Sequence, residues 1–263
     1  MIGAICGDII GSVYESWYFQ DRIADLNFEI FTPASIFTDD TVLSVAIADA
    51  IIRNEPYELK LAEWFGKYPN RGYGTGFVNW ANSYLKNKTV INNSYGNGAC
   101  MRVSPIGFAF QDLETVHIEA EKSCLFTHNS PEAIKGAKAI ASAVFLAKNG
   151  NSKNEIKSYI ETTFGFNLNY TIEDVRNTFD HRTTRCDVAV PQSLIAFLEG
   201  NNYEDVVRRA IYSKGDCDTI AAIAGSVAYA FYKEIPENIL QFAFAKLPKE
   251  MCEIVYEFHR KYC

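Results

Sequence analysis

The sequence lacks the features that mark several classes of protein. Its 263 residues contain no C-x-x-C pair, and the seven cysteines (Cys6, Cys100, Cys124, Cys186, Cys217, Cys252 and Cys263) are odd in number and irregularly spaced. This argues against a disulfide framework or a thiolate zinc site and makes a reducing cytoplasm the expected home. A basic excess is also missing: 25 Lys and Arg stand against 32 Asp and Glu, for a formal charge of −7. General nucleic-acid binding needs a basic footprint and is therefore not expected. No apolar run approaches the roughly 18 residues of a membrane span. The start has no basic stretch, and Asp8 interrupts its apolar run, so neither an anchor nor a leader is expected. There is no low-complexity segment, no repeat and no Pro/Gly/Ser linker, and alternating strand patterns are scarce.

What is present is a large apolar fraction, 48%, with 14% aromatic residues, enough to build a sizeable core. Apolar residues recur at helical spacing over Thr41–Ile52, Ala133–Ala147, Thr219–Tyr232 and Ile239–Phe258. The pattern predicts one all-α domain over residues 1–263, with about a dozen helices. The stretches TVLSVAIADAII and TIAAIAGSVAYAFY are apolar on most faces, which predicts central burial. Ser130-Pro131-Glu132 reads as an N-cap with proline at the first helical position, and Pro236 and Pro248 open the last two helices. Glycines gather instead in two loops, Arg71–Gly76 and Asn92–Gly98. Each is turn-rich, exposes backbone N–H groups and precedes a helical stretch, an arrangement suited to phosphate.

The strongest chemical signal is a pair of acidic clusters. Thr38-Asp39-Asp40-Thr41 stands before one buried helix and Gly215-Asp216-Cys217-Asp218-Thr219 before the other. Aspartate and threonine are good caps, and first-turn acids complement the helix dipole, so capping accounts for one such pair. It accounts less well for two acids on each of two core helices, because neighbouring buried carboxylates repel and must be neutralised. Hard oxygen ligands without Cys or His point to Mg²⁺, Mn²⁺ or Ca²⁺. Spacing alone does not show that the two helices meet.

These residues, taken in order, resemble the ADP-ribosylglycohydrolases, also called ADP-ribosylhydrolases. The likeness runs nearly end to end: Gly7-Asp8-Ile9-Ile10-Gly11-Ser12-Val13-Tyr14-Glu15, Phe37 to Thr41, Arg71 to Gly74, Ser94-Tyr95-Gly96-Asn97-Gly98 into Met101-Arg102, Thr127-His128, and Gly215 to Thr219 with its Ala-rich helix. Each motif is weak alone, and the ordered set is specific. Its details are most similar to small bacterial members and to the branch acting on serine-linked ADP-ribose. The resemblance implies a compact orthogonal helical bundle around two Mg²⁺, with Mn²⁺ as a substitute. It implies that Thr38, Asp39, Asp40, Asp216, Asp218 and Thr219 are metal ligands, and that Glu15, Asp39 and Asp40 are catalytic. Gly72, Gly74, Ser94, Tyr95, Gly96, Asn97, Gly98 and His128 would bind substrate. The implied activity is cleavage of the C1″ glycosidic bond of ADP-ribose attached to a protein side chain or small acceptor, by a monomeric, cytoplasmic enzyme. The alternatives are an ADP-ribose-binding module without turnover and a different two-metal hydrolase acting on a nucleotide.

Some positions are open. Tyr73 either stacks near ligand or packs. Arg102 either bonds phosphate or holds the loop through an ion pair. His117, His181 and His259 carry no motif and read as structural. Lys214 stands where relatives often have a small residue, and Gln192 where many bacterial members have glutamate; both bear on substrate choice.

Overall fold

The computed structural model describes residues 1–16, 20–88 and 90–263. Among these residues the fold is all-α. Helices follow one another along the chain, with only two isolated bridges, Asn93 with His128 and Gly96 with Arg185, where loops meet.

The two apolar segments form the helices Asp39–Arg53 and Cys217–Tyr232, and most residues of both are buried. The buried apolar side chains of the molecule form one continuous cluster around them. Each fully buried Leu or Ile, such as Leu43, Ile47, Ile5 or Ile9, contributes about 1.5–3 kcal/mol relative to exposure. The Ser130 cap forms as well: its Oγ accepts from Ala133 N at 3.2 Å, ahead of the helix Pro131–Lys148.

The site is positioned by the way Ile2–Gly11 lies on Cys217–Tyr232. Gly3, Gly7 and Gly11 recur every four residues and so form a stripe along one face. A methyl group on Gly3 would run into the carbonyl oxygen of Gly225, and one on Gly7 into that of Ala221. On Gly11 it would come within 2.6 Å of Asp218 Cα. With no side chains between them, the two backbones touch. The end of the first helix, leading to Glu15, is thereby set beside the start of the helix that carries Asp218.

Asp8 faces a different neighbour. It is fully buried, and its carboxylate closes the start of Asp39–Arg53. Oδ2 accepts from Thr38 N (3.0 Å), Thr41 N (3.1 Å) and the Thr41 hydroxyl, while Oδ1 accepts from Thr38 Oγ1 (2.7 Å). An acid 30 residues upstream thus caps the helix. Burial still outweighs these bonds and raises the carboxyl to about 6. In Asp8→Asn the amide nitrogen must face either the Thr38 hydroxyl, which then has to turn from donor to acceptor, or the Thr38 and Thr41 N–H groups, which cannot accept. The substitution is expected to destabilise the protein by about 2–3 kcal/mol, the scale of a buried polar group left unpaired, as read by chemical denaturation; an unchanged midpoint would contradict the capping role.

Candidate functional site

The acidic clusters meet. Thr219 Oγ1 donates to Asp40 Oδ2 at 3.1 Å, across 179 residues of sequence. The ligand oxygens of Glu15, Asp216 and Asp218 all lie within 4.8 Å of one another. These residues share a cleft of about 620 Å³ with Thr38, Asp39, Gly72, Gly74, Ser94, Tyr95, Gly96, Asn97, Gly98 and His128. Another hollow of about 520 Å³, lined by Tyr57, Glu119 and Tyr262 among others, contains none of them.

Each wall has a local cause. Thr38 sits in extended backbone and turns the chain into Asp39–Arg53, its side chain accepting from Asp40 N at 3.3 Å. Asp39 N donates to Arg71 O at 2.7 Å, which ties the first glycine loop to the acids. Gly72 follows with φ of +94°, in the left-handed region, and a side chain there would crowd Asp39 Oδ1 at 3.3 Å. The second loop is pinned by backbone bonds from Asn97 N to Thr184 O (2.7 Å) and from Cys186 N to Tyr95 O (3.1 Å). Asn97 Nδ2 donates to Asp216 Oδ2 at 2.7 Å, which joins that loop to the acidic cluster. Tyr95 stands at the rim, 54% exposed, with the Arg185 guanidinium 4.9 Å from its ring.

Electrostatically the site is strained. Burial raises the carboxyl of Asp39, and Asp8 and Asp216 raise it further. Asp40 is raised by burial, then by Asp8, Asp39 and Asp216. Asp218 is raised by burial, then by Asp216 and Asp40, and Glu15 by burial, then by Asp216 and Asp8. Asp40 Oδ1 is buried without a hydrogen-bond partner. Crowded carboxylates with an orphaned oxygen are the donor set that a hard divalent cation satisfies.

Several side chains lie where the sequence alone did not place them. Tyr73 packs: its hydroxyl donates to Tyr68 O and its ring stacks on Phe77. Arg102 lines the cleft and makes no ion pair among the described residues; its Nη2 donates to Ser123 O and Thr127 Oγ1. Lys214 does not line the cleft and its Nζ donates to Asp21 at 3.2 Å. Gln192 is buried behind the cleft, its Nε2 donating to Ser213 Oγ (2.8 Å) and Lys214 O (2.6 Å). On the other side Gln20, also fully buried, pairs with the backbone of Gly215, donating to its carbonyl at 2.6 Å and accepting from its N–H at 3.1 Å. The two glutamines brace a turn in which Lys214 and Gly215 both have positive φ. Sequence reasoning missed Asp8 and Gln20 as parts of the site. For Asp8 a signal existed, a lone acid in an otherwise apolar, glycine-spaced helix. His117, His181 and His259 bond Ser142, the Arg176 carbonyl and Tyr229 respectively, away from the cleft.

The family profile described as ADP-ribosylglycohydrolase matches residues 1–257, and the chain belongs to that family. Among individual proteins it is similar to ADP-ribosylhydrolase ARH3 from Homo sapiens, with 27% identity over 90% of this chain and 86% of that one. It is also similar to ADP-ribosylarginine hydrolase Tri1 from Pseudomonas putida, with 24% identity over 88% of this chain and 69% of that one. In fold it resembles a solved structure titled ADP-ribosylglycohydrolase-related protein complex, with a TM-score of 0.74 at 20% identity, covering 99% of this chain and 96% of that one.

Proposed function

We propose that the protein is a divalent-metal-dependent hydrolase that releases ADP-ribose by cleaving its C1″ glycosidic bond to a protein side chain or small acceptor. The observation that carries this is the meeting of the two acidic clusters, through Thr219 and Asp40, at the floor of a cleft whose other wall is the Ser94–Gly98 loop. Thr38, Asp39, Asp40, Asp216, Asp218 and Thr219 would hold the metal, and Mg²⁺ or Mn²⁺ suits their oxygens. Two such ions, if bound there, would supply Lewis acidity to activate water and orient sugar hydroxyls.

The chain's own groups do the rest. The Ser94–Gly98 loop, Gly72, Gly74 and His128 offer N–H groups, a hydroxyl and an amide to diphosphate and ribose oxygens. That placement leaves the terminal ribose over the carboxylates. Glu15 lies at the exposed rim of the acidic cluster. Its raised pKa lets it hold a proton closer to neutrality than an ordinary glutamate, and it exchanges that proton at the departing group. One relative names an arginine linkage and the other names no linkage, so the assay spans linkages. Purified protein is incubated with serine-, arginine- and acetyl-linked ADP-ribose, with and without Mg²⁺. Mg²⁺-dependent release of intact ADP-ribose is expected from at least one. No turnover on any, tight ADP-ribose binding without release, or release of AMP or phosphate would each overturn the proposal.

The raised carboxyls also predict how metal and pH act on stability. Because the folded pKa values lie above the unfolded ones, the folded state binds more protons, and stability from these groups is full below about pH 4 and lost as pH rises through the folded values. The metal-free protein should therefore be less stable in an assay at about pH 8 than in one at about pH 5, with a smaller difference in Asp39→Asn. Added Mg²⁺ should raise the melting temperature more at the higher pH, since bound metal displaces protons. Equal melting shifts at both pH values would contradict this.

A further inference from the structure

We propose that Arg102 and Thr127 are positioning residues that fix His128 as the neutral, Nε2-protonated tautomer, so that its Nε2–H is presented as a hydrogen-bond donor beneath the Ser94–Gly98 loop. The use of that donor on a ligand oxygen rests on the function proposed above; the tautomer itself does not.

Arg102 is wholly buried, and among the described residues no carboxylate pairs with it. Its Nη2 donates to Thr127 Oγ1 at 2.6 Å and to Ser123 O at 3.1 Å. A guanidinium has only donors, so it must be the donor at Thr127. The threonine hydroxyl then has one proton to give and two neighbours to receive it, His128 Nδ1 at 2.8 Å and Cys124 O at 3.5 Å. The nearer acceptor wins, because a hydrogen bond at 3.5 Å is at the edge of useful geometry. The positive charge on its oxygen also makes the hydroxyl a better donor and a poorer acceptor toward the ring. Nδ1 is therefore the acceptor, and the ring proton resides on Nε2.

Nε2 points at the loop. A methyl group on Gly98 would lie 2.8 Å from it, and one on Gly96 would lie 3.9 Å away. The absence of side chains at these positions keeps open the space in front of the donor. The ring is also held neutral: burial lowers its pKa well below the ordinary histidine value, and Arg102 adds to the effect. Arg102 Nε and Nη1 have no hydrogen-bond partner among the described residues, and the residue also lines the cleft.

Long-range ¹H–¹⁵N spectra of the metal-free, ligand-free protein at neutral pH test this, with His128 assigned by comparison with His128→Gln. The expected pattern is that of an Nε2–H imidazole. Thr127→Val should shift it toward the Nδ1–H form and weaken ADP-ribose binding roughly tenfold, the scale of one hydrogen bond to a charged group. Thr127→Ser should restore both. An Nδ1–H ring or an imidazolium in the wild-type spectrum would overturn the proposal, and so would a folded Thr127→Val with an unaltered tautomer. The wild-type spectrum decides the matter even where a variant fails to fold. If the Nε2–H form is found and ADP-ribose does not bind, the tautomer lock stands and the functional reading falls.

Discussion

Asp218→Asn is expected to lower ADP-ribose release by more than about a hundredfold, since even groups one step removed from a metal cost ten- to a hundredfold when changed. The same substitution should leave the metal-free protein as stable as the wild type or more so. Asp218 is 5% exposed and its carboxyl is raised by burial and by Asp216, Asp40, Glu15 and Asp8. Removing its charge relieves repulsion that the fold otherwise sustains. Its hydrogen bond, from Thr219 N to Oδ1 at 2.9 Å, can be kept by the amide oxygen. Activity and stability should thus move in opposite directions, the pattern of a site held under strain for function. Asp39→Ala should behave alike in activity. Steady-state rates with thermal melts in chelator decide the point. A variant with near wild-type rate would remove Asp218 from the mechanism, and a large loss of metal-free stability would mean that it serves mainly as a cap.

Gly7→Val should be among the most damaging changes to the fold. Its Cβ would meet the backbone of Ala221 on the facing helix, and backbone cannot swing aside as a side chain can. Overpacking of a tight core costs about 1–3 kcal/mol for modest insertions, and here two rigid helices must separate. A loss of about 3 kcal/mol or more corresponds to a fall in melting temperature of roughly 6–12 °C for a chain of this size. Gly66→Ala provides the contrast. It lies on the exposed face of the helix Tyr57–Lys67 with its nearest neighbour, Leu85, at 3.9 Å, and should raise stability by up to about 1 kcal/mol. Equal melting temperatures for Gly7→Val and wild type would refute the direct backbone contact. Movement of Ile2–Gly11 also shifts Asp8 and Glu15 away from the acids they face, so residual folded Gly7→Val protein should bind Mg²⁺ poorly.

These cases show what the sequence made legible. Asp39–Arg53 and Cys217–Tyr232 were readable because apolar residues on every face have only one stable place, the interior. Their acidic starts were readable because hard oxygen donors cluster for few reasons. The resemblance to ADP-ribosylglycohydrolases supplied the grouping of the glycine loops with the acids. The supports behind the site were less readable: Asp8 stood out as a lone acid in an apolar helix, but its partners did not. Asp8 caps a helix 30 residues away, and Gln20 grips the backbone of Gly215 across 195 residues. Such contacts join a side chain to main chain and leave no periodic trace. The Arg102–Thr127–His128 chain is hidden likewise, since its first link spans 25 residues. Lys214 shows the converse: its place next to the acidic motif suggested a role in the pocket, but the left-handed turn there takes its side chain to Asp21 instead.

The pairing of Asp40 with Thr219 has a consequence for biosynthesis. A nascent chain exposes its first acidic cluster and its glycine loops well before Cys217–Tyr232 leaves the ribosome. Until then the glycine stripe of the opening helix has nothing to rest on, and half of the acidic cluster proposed to hold a cation is missing. Hydrolytic competence therefore arrives in a single late event, and a product stopped before that helix would be inert, however well its earlier segments had folded.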